Sequence, residues 1–166
     1  MWHRFTESAK LAIYRSEEAA TQFNSTTIST GHLLHGLLHE EKFITSPGRL
    51  QVFVRSETFD QDCLAIWILT DLRVNIRSLK DSLESKLPIG AEEIDQEIIL
   101  SQKGKLVIDL AYDESRSLFN DFIGTEHLFL ALIREHDGLA AQILKEAGIT
   151  IELARALVKT LQDSHQ

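Results

Sequence analysis

Apolar and small residues recur along the chain at spacings of three and four, the period of an α-helix. After Thr6, a good helix N-cap, Ala9, Ala12, Ile13, Ser16, Ala20 and Phe23 form one face of a helix of about five turns, which Asn24 and Ser25 can end. A second apolar run follows Thr30-Gly31-His32-Leu33. Leu64, Ala65, Ile68, Leu69 and Leu72 mark a third helix, in which Trp67 reads as a core residue, and Ile76, Leu79 and Leu83 mark a fourth with Asn75 as its cap. The pattern then starts again. Ser101 caps a stripe of Gly104, Val107, Ile108, Ala111, Ser115 and Leu118, and Thr125 stands where an N-cap is needed for the apolar run that follows. Gly138 restarts a helix through Leu139, Ala140, Ile143, Leu144 and Ala147, and Gly148 suits a left-handed C-cap. Thr150 caps a last helix carrying Ile151, Leu153, Ala154, Leu157, Val158 and Leu161. The small residues on the two long stripes predict close helix–helix packing.

The two halves share their text. Thr30, His32 and Leu33 return as Thr125, His127 and Leu128, 95 residues later, and the same offset lays the Thr6 helix on the Ser101 helix. Such self-similarity predicts two copies of one unit. The expected fold is all-α, with two tandem four-helix repeats, residues 1–86 and 100–166, forming a pseudo-twofold eight-helix bundle. Leu87-Pro88-Ile89-Gly90 breaks the helical pattern and opens a linker at 87–99.

The third helices align at an offset of 75 rather than 95, which leaves about 20 extra residues in the first repeat, around 41–60. Within them Phe43-Ile44-Thr45 and Leu50-Gln51-Val52-Phe53-Val54 flank Ser46-Pro47-Gly48-Arg49. This reads as a β-hairpin, two short strands around a turn, or equally as an irregular loop. A hairpin would lay Leu50, Val52 and Val54 on the first repeat and present Phe53 outward. Phe43, Leu50, Val52 and Phe53 are therefore the candidate partner contacts of the insert, since such apolar residues must be buried on something.

Phe5-Thr6 with Ala9, Ile123-Gly124-Thr125-Glu126-His127-Leu128 through Glu135, Leu139 to Leu144, and Gly148-Ile149 together resemble the Clp N-terminal domain, most closely that of the bacterial and plastid ClpC group. The resemblance covers nearly all of the chain outside the insert and is strongest in the second repeat. It implies a double-repeat helical domain that docks adaptor and substrate proteins for a Clp-type AAA+ ATPase feeding a protease, in the bacterial cytoplasm or the plastid stroma. It implies no cofactor and no catalytic residue. No Gly-x-x-x-x-Gly-Lys-Ser/Thr phosphate loop occurs in the sequence, so the expectation is a stand-alone accessory subunit or an N-terminal fragment. Some members bind phosphorylated arginine at one site per repeat. The resemblance places Glu126 on the guanidinium and the hydroxyls of Thr6 and Ser101 near the phosphate. In the first repeat the position of Glu126 is held by Gly31, which implies one site rather than two. Glu126 reads equally well as a first-turn acid that suits the helix dipole.

Charge and composition narrow the class further. The net charge of −8 lies almost wholly in the second half: residues 1–86 carry 10 basic against 11 acidic side chains, residues 87–166 carry 7 against 14. This argues against nucleic acid, whose phosphates need a basic face, and is compatible with a guanidinium-bearing partner. No stretch is apolar for the roughly 18–20 residues of a membrane span. The one cysteine, Cys63, has no internal disulfide partner and reads as an inert, half-buried thiol in a reducing compartment.

An alternative of another class rests on His32, His35 and His39, spaced on one helix face as metal ligands can be. It would make the chain a metal-binding protein or metal-dependent enzyme. Gly36 stands where the His-Glu-x-x-His pattern needs its glutamate, and His32 has a counterpart in His127, which favours a structural histidine beside each helix cap.

Overall fold

A computed structural model describes residues 2–39, 64–91 and 97–163. A 3-10 turn at Trp2–Arg4 leads into α1 (Glu7–Gln22), followed by a two-residue strand β1 (Thr27–Ile28), α2 (Thr30–Leu37), α3 (Leu64–Asp71) and α4 (Ile76–Lys86). The second half repeats the four helices behind a short strand: β2 (Ile99–Leu100), α5 (Gln102–Ser117), α6 (Thr125–Glu135), α7 (Leu139–Glu146) and α8 (Ile151–Asp163). The all-helical, two-repeat architecture expected from the repeated text is the one observed. Residues 43–54, read as a hairpin or loop, and Cys63 lie outside the described residues.

The core is built around two buried helices. All eight residues of α2 are buried, and so are Thr125 to Leu132 of α6. Their leucines and phenylalanine are covered on all sides, and the other helices wrap around the pair. α1 lies on α2 and α5 on α6. Small residues let them close: a methyl group on Gly36 would meet the Ala12 carbonyl oxygen at 2.2 Å and Ser16 Oγ at 2.4 Å. The third helices reach across: α3 packs on α6, and α7 lies against both α2 and α6.

The crossing extends to the backbone. β1 pairs in parallel with β2, Ile28 opposite Leu100, and Phe5 forms the equivalent bridge to Ile123. Thus the start of each long helix is stitched to the other repeat: Ser101 N–H donates to Ile28 O at 3.0 Å, and Thr6 N–H to Ile123 O at 3.0 Å. The strand at Ile99–Leu100 is invisible as periodicity, because two residues are too short to show one.

Two local expectations are corrected. Thr125 is not the N-cap of α6. Gly124 is, and Thr125 is the first helical residue, as Thr30 is behind the N-cap Ser29 of α2. The threonines instead cap across the twofold. Thr125 Oγ1 accepts from Ala65 N–H at the start of α3 at 3.3 Å, and Thr30 Oγ1 accepts from Ala140 N–H at the start of α7 at 3.5 Å. Trp67 is not core either. The buried face of α3 is Ala65, Ile68 and Leu69, which turns Trp67 aside and leaves it 43% exposed.

The other caps fall where the pattern placed them. Thr6, Asn75, Ser101 and Thr150 each accept from the backbone N–H three residues on. If the crossed threonines hold the repeats together, replacing Thr30 or Thr125 by valine, which keeps the shape and removes the acceptor, should destabilise the fold by about 1 kcal/mol each. Urea unfolding followed by circular dichroism measures this, with a single transition retained in both variants.

Candidate functional site

The Glu126 site is built from the crossed junction. Phe5 and Thr6, entering α1, run beside Ile123, which leads through Gly124 and Thr125 to Glu126 in the first turn of α6. Thr6 Oγ1 accepts from Ala9 N–H at 3.2 Å, which leaves its own O–H as a donor at the same junction. Glu126 folds back over Gly124, so that a Cβ there would push the carboxylate out of its observed position. The carboxylate lies at the positive end of the α6 dipole and is only 7% exposed.

His127 fixes this turn. Gly124 N–H donates to His127 Nδ1 at 2.9 Å, the reciprocal half of a capping box with histidine in place of glutamate. Because Nδ1 accepts, the ring hydrogen is on Nε2, which donates to Asn120 Oδ1 at 2.9 Å, and Gln162 Nε2 of α8 donates to the same oxygen at 2.8 Å. Burial lowers the His127 pKa to about 4. The neutral ring is no ion-pair partner for Glu126 Oε1, although it lies 3.3 Å from Nδ1.

The pseudo-equivalent place in the first repeat has the same frame and different contents. Ser29 N–H donates to His32 Nδ1 at 3.1 Å, and burial, with His35 nearby, lowers the His32 pKa to about 4. Here the N-cap carries a side chain, Ser29, and the residue two further on, Gly31, carries none. A Cβ on Gly31 would meet Leu87 Cδ2 at 2.8 Å and Leu139 Cδ2 at 3.1 Å. The space is therefore filled by leucine rather than open to a ligand. Ser101 caps α5 at the junction leading to Gly31, whereas Thr6 caps α1 at the junction leading to Glu126. Of the three residues assigned to guanidinium and phosphate, the fold brings the Thr6 and Glu126 segments together and sets Ser101 on the other side of the twofold.

His32, His35 and His39 are not gathered into one group. His32 serves the cap, His35 Nε2 lies 2.8 Å from Glu84 Oε1 of α4, and His39 is exposed beyond the helix. Among the described residues no three His, Cys, Asp or Glu side chains are placed to hold a metal ion. The candidate partner contacts Phe43, Leu50, Val52 and Phe53 lie outside the described residues. Sequence reading missed Glu114, which is buried on α5 and takes both Arg155 and Arg134 (3.3 Å for the latter), because its first-repeat counterpart is Ala19.

The fold and the two junctions define a helical double-repeat domain whose equivalent helix starts carry different residues. A sequence profile described as the Clp repeat (R) N-terminal domain matches residues 58–147 and 99–165. The chain belongs to this family. It is 31% identical over its whole length to the negative regulator of genetic competence ClpC/MecB of Bacillus subtilis, and 30% to the chaperone protein ClpB of Oceanobacillus iheyensis. It spans only 18% of the length of either protein. Among solved structures, the N-terminal domain of the chaperone ClpD from Arabidopsis thaliana is 28% identical with a TM-score of 0.56, over 96% of this chain and 98% of that one. The Hsp104 N-terminal domain from Candida albicans shares the fold at 17% identity, with a TM-score of 0.69 over 95% and 91%.

The two capping histidines predict a pH response. Their folded pKa of about 4 lies below the ordinary 6.5, so the unfolded chain binds more protons between those values, and stability is lost as pH falls from 6.5 towards 4. The loss is roughly 3 kcal/mol per histidine over the whole window, most of it above pH 5. In the variant with His32→Gln and His127→Gln, glutamine keeps the capping acceptor and does not titrate. Its urea midpoint should change far less between pH 7 and pH 5 than that of the unmodified protein.

Proposed function

We propose that this chain is a non-enzymatic docking module that presents adaptor or substrate proteins to a Clp-type AAA+ unfoldase and its protease. Family membership across the chain supports this, as do ClpC, ClpB and ClpD among its relatives. The observation that carries the finer reading is the one-sided site: Glu126 retained over Gly124 beside Thr6, against Gly31 closed by Leu87 and Leu139.

Chemically, a buried carboxylate at a helix start suits a guanidinium, which can take it bidentately out of water. In this reading the hydroxyl of Thr6, whose backbone is bonded to Ile123 at the same junction, donates to a phosphate on that ligand. A phosphorylated arginine side chain of a client protein fits both. Ser101 has no carboxylate of this kind on its junction and has no part in this site.

Calorimetric titration with phosphoarginine should therefore give a stoichiometry of one. Glu126→Gln should weaken binding at least tenfold, and Thr6→Val should weaken it less. Gly31→Glu should create no second site, because the leucines occupy the space, and should lower the melting temperature instead. Two equal sites, or binding unchanged by Glu126→Gln, would overturn the guanidinium reading. Capture of a Clp ATPase by the immobilised protein tests the docking role separately.

A further inference from the structure

Four helices of the bundle end in the same way. The chain leaves each one through a residue in the left-handed region: Asn24 after α1 (φ 52°), Arg73 after α3 (φ 55°), Phe119 after α5 (φ 58°) and Gly148 after α7 (φ 79°). Each is held by the same pair of backbone bonds, which for α5 run from Phe119 N–H to Arg116 O at 3.1 Å and from Asn120 N–H to Ser115 O at 2.8 Å. Glycine and asparagine adopt this conformation at little cost, and a bulky side chain does not. Arg73 and Phe119 are the bulky residues among the four, as His136 (φ 60°) is after α6, and the counterpart of Phe119 in the first repeat is Asn24. The Phe119 ring is also 95% exposed, so it gains almost no burial in return. A local rule broken without structural gain points to function.

The surroundings of Phe119 point the same way. Phe122 is 59% exposed and Trp2 is 53% exposed. The two segments are bound together, since Arg4 Nη2 and Nε donate to Asp121 O at 3.2 and 3.4 Å and Ile123 N–H donates to Arg4 O at 2.7 Å. Arg4 lies over the Tyr112 ring, 5.0 Å from its centre, and Arg116 lies over the same ring at 5.7 Å. Among the described residues neither guanidinium is within ion-pair distance of a carboxylate; Arg4 donates to the Tyr112 hydroxyl and to a backbone carbonyl. Two arginines thus meet on one tyrosine ring beside the exposed rings of Phe119 and Phe122, in a segment whose one acid is Asp121. Aromatic and arginine side chains are the usual anchors of a binding surface.

We propose that this face, formed by Trp2, Arg4, Arg116, Phe119 and Phe122, docks a peptide segment of a partner protein in which acidic residues alternate with large apolar ones. The carboxylates pair with Arg4 and Arg116, and the apolar side chains cover the exposed rings. The proposal does not depend on a guanidinium ligand at Glu126, because its ligand has the opposite charge and its contacts lie on the outer side of the junction.

The probe is a fluorescein-labelled twelve-residue peptide of alternating aspartate and leucine or phenylalanine, followed by fluorescence anisotropy against the whole chain. Saturable binding is expected, weakened at least tenfold by Arg116→Glu and by Phe119→Asn, and absent for the same peptide with lysine in place of aspartate. Phe119→Asn is also expected to raise the melting temperature, since asparagine suits the left-handed position as it does at residue 24. A more stable protein that has lost the peptide cannot be explained by misfolding. The proposal is overturned if the unmodified chain shows no saturable binding, if the lysine peptide binds equally well, or if Phe119→Asn lowers the melting temperature and leaves binding intact. Self-association of the unmodified chain in sedimentation, abolished by Phe119→Asn, would also overturn it, because the occupant would then be a second copy.

Discussion

Each repeat caps a helix of the other. The Thr30 hydroxyl serves the start of α7 and the Thr125 hydroxyl serves the start of α3, and the short parallel pairings Ile28–Leu100 and Phe5–Ile123 cross the same axis. A helix start leaves unpaired N–H groups that must find acceptors once buried. Neither repeat supplies all of those acceptors to its own third helix. The two halves are therefore not two domains in contact, because the hydrogen bonding of each is completed by its copy. This requirement explains why threonine recurs at the first helical position of α2 and α6, where a terminal cap would call for it one residue earlier.

A frame made twice by one plan can carry different contents. At both junctions a histidine in the first turn accepts from the N-cap backbone, and burial keeps it neutral. Between cap and histidine, the first repeat has Ser29 and Gly31 where the second has Gly124 and Glu126. The exchange is sterically consistent, since the carboxylate of Glu126 lies in the space above Gly124, and leucine side chains lie against Gly31. The same divergence replaces Asn24 by Phe119 and Ala19 by Glu114. The scaffold is symmetric, while the second copy holds the carboxylate site and the exposed aromatic turn after α5.

Much of the fold was legible because period and caps are local. The long stripes, the caps at Thr6, Asn75, Ser101 and Thr150 and the stop at Gly148 follow from neighbouring residues. What was not legible depends on residues far apart in sequence. Thr125 looks like an N-cap because its true acceptor role, towards Ala65, lies 60 residues away. Trp67 looked like core because Ala65, Ile66, Ile68 and Leu69 around it are apolar and hydrophobicity alone does not choose the buried face. The pairing of Thr6 with the Glu126 junction, and of Ser101 with that of Gly31, required the crossed strands, which two-residue segments do not announce. The filling of the Gly31 site by Leu87 and Leu139 joins a linker residue to the opposite repeat and has no signature in either segment.

The central claim is that crossed capping makes the two repeats one cooperative unit. Native-state hydrogen exchange, read by mass spectrometry across α2 and α6 under increasing denaturant, tests it most directly. The account predicts that the core amides of both helices exchange with the same free energy, equal to that of global unfolding. Exchange of one of these helices in a partial unfolding event that leaves the other protected would contradict it.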